Sequence, residues 1–140
     1  MPAFGEMIVI YDLLPEMAEK LGKALDEAVK KAAFDIQAAA QAAAPVDTGF
    51  LKNSIYVETH SESTYGQIAE PTSPTATVLP EVEKPKEHQA VVAVGANYGV
   101  YVEFGTVHGP AQPYLTPAAA IVEPQFIAAL TKMEDLMAAV

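Results

Sequence analysis

Apolar residues recur every three or four positions between Pro15 and Ala44. Met17, Leu21, Leu25, Ala28, Val29, Ala32, Ile36, Ala40 and Ala43 form one stripe, so the segment reads as an amphipathic helix. Pro15 suits a first helical position, because its missing N–H would have had no partner there. Pro45 ends the helix, since the residue before a proline is pushed out of the α region. Unbroken, about 30 residues at ~1.5 Å each make a rod of ~45 Å. Gly22 weakens it slightly. Glu16/Lys20, Glu19/Lys23, Asp26/Lys30 and Glu27/Lys31 place each acid four residues before a base, the favourable order on a helix. Large apolar residues are too few for a coiled-coil seam. The second half, Ala32–Ala44, is nearly all small residues, which lets another backbone approach closely.

Shorter apolar runs predict strands at Glu6–Tyr11, Asn53–Thr59 and Gln89–Gly95. Tyr65–Glu70 is a candidate partner for the second. The near-continuous apolar run Ala90–Val94 suits a sheet covered on both faces, or an intersubunit surface. Between these runs, Pro71, Pro74, Pro80 and Pro85 forbid a central strand, so residues 71–86 read as an extended, poorly packed loop or arm. His60 and His88 flank that arm and are expected to be solvated. Asp47 can cap a short turn through Leu51, with Val46 packed on Leu51 as a staple. Thr116-Pro117 opens the last helix with a capping residue and a first-turn proline. Pro124 should kink or split that helix. Phe126, Leu130, Met133 and Met137 continue its apolar stripe.

A length of 140 residues suits one domain spanning 1–140. With no cysteine, disulfides, zinc–thiolate sites and thiol catalysis are excluded. Lys plus Arg is 8 and Asp plus Glu is 18, a net charge of −10. That charge repels phosphates and argues against a duplex reader; it also serves to keep an alanine-rich chain in solution. No apolar run reaches the ~18–20 residues of a membrane helix. The first residues do not read as a signal peptide, so synthesis in the cytosol is expected.

No phosphate-binding glycine loop and no Gly-x-Ser-x-Gly elbow is present. His60, His88 and His108 lack metal-ligand spacing, and no cofactor is expected. Glu103 stands between Val102 and Phe104, where an isolated buried charge would be costly. It either accepts hydrogen bonds from turn N–H groups, pairs across an interface, or faces solvent. Asp47 is read as a cap before any chemistry. Tyr98 and Tyr101 are read as anchors of their loop to the core, with ligand stacking as the alternative.

Three segments carry a resemblance. Ala44-Pro45-Val46-Asp47-Thr48-Gly49-Phe50-Leu51-Lys52-Asn53-Ser54-Ile55 resembles the A-P-v-D-T-G-x-L-[KR]-x-S-I motif of small neck and tail-completion proteins of long-tailed phages. That family is related to the minor tail protein Z of lambda. Tyr98-Gly99-Val100-Tyr101-Val102-Glu103-Phe104-Gly105-Thr106 is similar to its Y-a-x-Y-v-E-f-G-T, and Ala111-Gln112-Pro113-Tyr114-Leu115-Thr116-Pro117-Ala118 to its q-P-F-L-x-P-A. Gly99 stands where the family usually has Ala, and Tyr114 where it often has Phe.

The resemblance implies an α+β fold: a long N-terminal helix packed across an antiparallel sheet, an extended Pro-rich arm, and a kinked C-terminal helix. It implies a structural virion protein at the head–tail junction, made in the host cytoplasm and not an enzyme. Its copies would form a homo-oligomeric ring, a hexamer, around the DNA channel. It would contact head-closure or connector proteins and tail-terminator or tail-tube proteins. DNA would pass without specific binding, and no membrane is involved. Pro45, Asp47, Thr48, Gly49, Leu51, Ser54, Tyr98, Tyr101, Glu103, Phe104, Gly105, Thr106, Pro113, Leu115 and Pro117 would define the fold and the interfaces. The small-residue face Ala38–Ala44 and the strand Ala90–Val94 are candidate halves of a subunit contact. Two other readings stay open. One is a non-enzymatic adaptor or regulatory module using the long helix. The other is a small hydrolase joining Asp47, Glu103 and His108 in a pocket.

Overall fold

The computed structural model describes residues 8–10, 15–45, 49–68, 70–71 and 73–138. The elements run β1 (Ile8–Ile10), α1 (Pro15–Ala43), α2 (Phe50–Asn53), β2 (Ile55–Thr59), β3 (Ala90–Val94), α3 (Gly99–Phe104) and α4 (Leu115–Ala138). The architecture is α+β. Its sheet is antiparallel in the order β1-β3-β2, with Val92 opposite Val9 on one side and Val57 on the other.

Alternation along the strands sorts the core. Ile55, Val57, Ala90, Val92 and Val94 face the helices, where Val29, Ala32, Ile36 and Ala40 of α1 meet Ala118, Val122 and Phe126 of α4. Tyr56, Val91 and Ala93 face the other way and are covered by Tyr65, Ile68 and Val82. Every residue of β3 is therefore buried. The apolar run Ala90–Val94 belongs to a sheet covered on both faces; it is not a subunit surface.

The apolar stripe of α1 is spent inside the chain. Leu25, Val29, Ala32, Ile36 and Ala40 are buried, whereas Ala38, Ala42 and Ala43 are exposed. The rod is not straight: Leu21 leaves helical geometry (φ −126°, ψ 25°) beside Gly22. Of the expected pairs, Asp26 and Lys30 take other partners and Lys31 pairs with Asp35, while the side chains of Glu16, Glu19 and Lys20 lie outside the described residues. Lys31 bonds Asp35 at 2.6 Å, Lys30 reaches Glu62 at 2.5 Å, and Asp26 takes the His88 Nδ1 at 2.7 Å. Exposed intrahelical pairs contribute only ~0.2–0.5 kcal/mol, so the tertiary partners Glu62 and His88 can displace them.

Among the described residues of 65–70, none pairs with β2 as a strand. A 3₁₀ turn occupies Tyr65–Gln67. The free edge of β2 is closed instead by the turn that follows it. Val57 N–H donates to Thr64 Oγ1 at 2.9 Å, Thr64 N–H to Val57 O at 3.0 Å, and Thr59 N–H to Glu62 O at 2.8 Å. Gln37 Nε2 donates to Ile55 O at 3.0 Å. An edge whose donors and acceptors are consumed locally cannot template a foreign strand.

The Pro-rich segment lies flat on the sheet's outer face. Leu79 N–H donates to Gly95 O at 2.7 Å, Tyr65 Oη to Leu79 O at 2.6 Å, and Val82 N–H to Tyr56 Oη at 3.0 Å. Pro85 is buried. Residues 79–85 are extended and held down at these points, whereas Ser73, Pro74 and Thr75 form an exposed turn. Of the segment's two flanking histidines, His60 is exposed as expected, with Nδ1 3.1 Å from Pro85 O, whereas His88 is half-buried and paired with Asp26.

α4 runs through Pro124 without being split. Pro124 and Ala120, whose carbonyl the proline leaves without a helical donor, are both exposed, so water can take that acceptor. The predicted Asp47 cap and Val46 staple lie outside the described residues, as do Thr48 and the Met137 side chain. The N-cap position of α2 is Gly49 in left-handed geometry (φ 79°).

Candidate functional site

The three motif segments converge on one end of the core. Ser54, fully buried at the start of β2, donates to Leu51 O at 2.8 Å and accepts Ala96 N–H at 3.0 Å. Its carbonyl accepts Gly95 N–H at 2.8 Å. The first motif is thereby stitched to the turn that leads into the second. Phe50 of α2 meets the half-buried Tyr98 with ring centroids 6.1 Å apart.

Glu103 joins the second motif to the third. Its Oε1 accepts Tyr114 N–H and Leu115 N–H, both at 2.9 Å, and its Oε2 accepts Thr116 N–H at 3.1 Å. These are orphan donors at the start of α4, which no intrahelical carbonyl can satisfy. The side chain is only 3% exposed. Burial alone would push the carboxyl up, but the N–H groups of Tyr114, Leu115 and Thr116 together outweigh it and hold it below the usual carboxylate range. The helix dipole favours a negative charge at this end. Thr116, expected to cap α4, instead donates to the real cap, which comes from another element.

Gly99 and Tyr114 form a second link. Tyr114 Oη donates to Gly99 O at 2.9 Å. A Cβ at Gly99 would lie 2.8 Å from that hydroxyl and 2.6 Å from Val94 Cγ1. The two places where this chain departs from the motif pattern thus face one another: losing a methyl at 99 makes room for the hydroxyl at 114. Burial of the phenol, then the Glu103 charge, push Tyr114 well above its ordinary value. Gly105 ends α3 at φ 78°, with Ala111 N 2.7 Å from where a Cβ would sit, so no other residue fits this turn.

The remaining motif residues divide by side. Leu51 and Leu115 are buried, Pro45 and Pro117 half-buried, and Pro113 exposed. Thr106 is exposed and closes a turn, accepting His108 N–H on Oγ1 at 3.1 Å. Tyr101 and Phe104 face outward at 45% and 68% exposure, joined on the next turn by Val107 at 96%. Tyr98 anchors its loop as expected, whereas Tyr101 does not point into the core. Ile121 and Ile127 of α4 are exposed as well. Val107, Ile121 and Ile127 were not singled out from sequence. The two isoleucines carry a legible signal, since both fall off the stripe Ala118-Val122-Phe126-Leu130.

The described residues include a cleft of about 490 Å³ between α1 and the ends of β2 and β3, bordered by Lys23, Lys30, Thr59, His60 and His88. Lys30 and His88 are already paired with acids there. Among the described residues, no group of three or more acids and histidines is arranged to hold a metal ion, and no helix is long and apolar enough to cross a membrane. Asp47 lies outside them. Glu103 and His108 are not brought into a shared pocket: one is spent on α4 and the other is exposed in its turn.

This geometry defines a structural module whose motifs build a helix junction and present Tyr101 and Phe104 outward. The family described as "Bacteriophage HK97-gp10, putative tail-component" matches residues 10–105, more than two thirds of the chain. The chain belongs to that family of phage tail components, and is a virion-associated structural protein. The third motif, residues 111–118, lies beyond the matched span. No curated protein and no solved structure matches the chain at a significant level.

Proposed function

We propose that the protein is a subunit of the phage neck, acting at the head–tail junction in tail completion, where copies close into a ring around the DNA channel. The observation that carries this reading is the inverted second motif. It turns Glu103 inward and Tyr101 and Phe104 outward, with Val107 exposed just beyond it, while Tyr98 stays packed on Phe50. Phe104 and Val107 are exposed apolar surface that a subunit contact would remove from water.

The occupant of that surface is a second copy. A ring with rotational symmetry needs two different complementary patches per subunit. The α3 turn is one, and the exposed isoleucines of α4 with the exposed Ala42 and Ala43 of α1 supply apolar surface for the other. Six copies is the stoichiometry proposed, with head-closure or connector proteins on one side and tail-terminator or tail-tube proteins on the other. A net charge of −10 suits a lumen along which DNA slides without specific binding. The adaptor alternative loses its instrument, because the apolar stripe of α1 is consumed by the sheet and α4.

The test is mass by light scattering across a concentration series, together with restoration of head–tail joining in particles lacking this protein. Wild type is expected to give a ring-sized species or to restore joining. Phe104→Asp should lose both while its thermal transition stays in place. Joining at wild-type level by F104D would sink the assignment of this surface.

A further inference from the structure

Ser63 stands between two carboxyl groups that belong to different layers. Its Oγ lies 2.5 Å from Glu58 Oε1 on β2 and 2.9 Å from Glu81 Oε2 on the Pro-rich segment, and it accepts Tyr65 N–H at 3.1 Å. A serine hydroxyl has one hydrogen and two acceptor positions. With both carboxyls ionised, Ser63 can donate to only one, and the other pair of oxygens meets with no hydrogen between them. One extra proton resolves the arrangement. Carried by Glu58, it is donated to Ser63 Oγ; Ser63 then donates to Glu81 and still accepts Tyr65 N–H. Every hydrogen-bonding position of the hydroxyl is then filled.

Position decides which carboxyl carries that proton. Glu58 is 3% exposed, whereas Glu81 is exposed. Burial, followed by its contact with Glu81, pushes the Glu58 carboxyl up to about 7, with Ser63 pulling the other way. Glu81 moves in the opposite direction, held down chiefly by Glu58 and then by Ser63.

The carboxyl pair sits where residues 79–85 cross the outer face of the sheet as a strap. That strap covers Tyr56, Val91 and Ala93 with Val82, and is tied by Leu79 N–H, Leu79 O and Val82 N–H. The titratable groups around Glu58 are Tyr56 on β2, His60 just after it, Tyr65 on the turn and Glu81 on the strap; β3 places Val91 opposite. Glu62 in the same turn is paired with Lys30, and Glu83 and Lys84 lie exposed farther along the strap. No cation is among the groups that set Glu58.

We propose that Glu58, Ser63 and Glu81 form a proton-operated latch on the strap 79–85. Holding one shared proton, the latch is closed. Losing it leaves two carboxylates on one hydroxyl, loosens the strap and opens the face of Tyr56, Val91 and Ala93.

The full-length chain, labelled with ¹³C at its carboxyl groups, tests this by NMR titration together with amide exchange. Glu58 Cδ should titrate with a midpoint near 7. Protection at Leu79 and Val82, corrected for intrinsic exchange, should fall about tenfold between roughly pH 5.5 and 8.5, while Val92 in the central strand stays protected. Glu58→Gln should remove that step. Glu81→Gln should move the Glu58 midpoint down toward 4.5, and it keeps the test decisive if E58Q does not fold. His60 also touches the strap, through Pro85 O, so His60→Gln is the control and should leave the step in place. A Glu58 midpoint near 4.5 in the wild type, flat protection at Leu79 and Val82, or a step that survives E58Q or vanishes in H60Q would overturn the latch.

Discussion

Glu58 and Glu103 are equally buried, each 3% exposed, yet they titrate in opposite directions. Glu103 meets three backbone N–H groups at a helix N-terminus and is held ionised. Glu58 meets one hydroxyl and a second carboxyl, and burial pushes it up to about 7. Depth is therefore a poor guide to what a carboxylate does here; the donors around it decide. The first acid joins α3 to α4 as a carboxylate, and that joint is lost only in acid; the second, in the proposed latch, is lost as pH rises.

The contrast is broken most severely by removing the Glu103 joint. Glu103→Ala strands three N–H groups at a buried helix end and should cost about 3 kcal/mol. Glu103→Gln keeps acceptor oxygen without the charge and should cost roughly half as much. Urea denaturation of the two variants measures both. Equal, negligible losses would show that water replaces the carboxylate at no cost.

Next in size is the Gly99–Tyr114 link beside that joint. Gly99→Ala should cost about 2 kcal/mol through overpacking against Val94 and the Tyr114 hydroxyl. Tyr114→Phe alone should cost about 1 kcal/mol for its lost hydrogen bond. In the double variant the methyl enters the space the hydroxyl left, so the combined loss should fall short of the sum by ~1 kcal/mol. Strict additivity would mean that Val94 alone sets the penalty at residue 99.

The pH dependence sharpens the comparison further. Glu103 has a lowered value in the folded chain, so its stabilisation is present above 4.5 and is lost as pH falls through that lower value. Glu58 has a raised value, so its contribution is full below 4.5 and is lost as pH rises through about 7. Stability should therefore decline on both sides of a mildly acidic optimum. E58Q should flatten the decline toward neutral pH and leave the acid limb; thermal denaturation across buffers reads both limbs.

The smallest effect on the isolated chain belongs to the outward face. F104D should change folding stability by less than ~0.5 kcal/mol, because Phe104 is 68% exposed. Its consequence should fall on assembly, where the acidic joint variants act only through folding.

Much of the fold was legible from periodicity. The 3–4 spacing from Pro15 located α1, the apolar run Ala90–Val94 located the doubly covered central strand, and alternation after Asn53 located β2. Three features were not. α3 is a six-residue helix whose buried and exposed positions follow its packing rather than a clean stripe. The bend at Leu21 falls beside Gly22, where the His88 ring lies close, and the 3–4 periodicity gave no sign of it. Tyr65–Gln67 turned where a strand was expected, because the turn after β2 already satisfies that strand's edge.

The motifs named the residues of the α3–α4 junction and left their directions undetermined. Sequence spacing allowed Glu103 to accept turn N–H groups, to pair across an interface or to face water. Its geometry against α4, eleven to thirteen residues away, selected the first. Local rules determined the elements here, because periodicity, proline and capping act over a few residues. Which acid is held ionised, which shares a proton, and which aromatics are left outside were decided only by tertiary structure. Each of those outcomes depends on donors and surfaces delivered by segments far apart in the chain, and no local pattern encodes where such partners will meet.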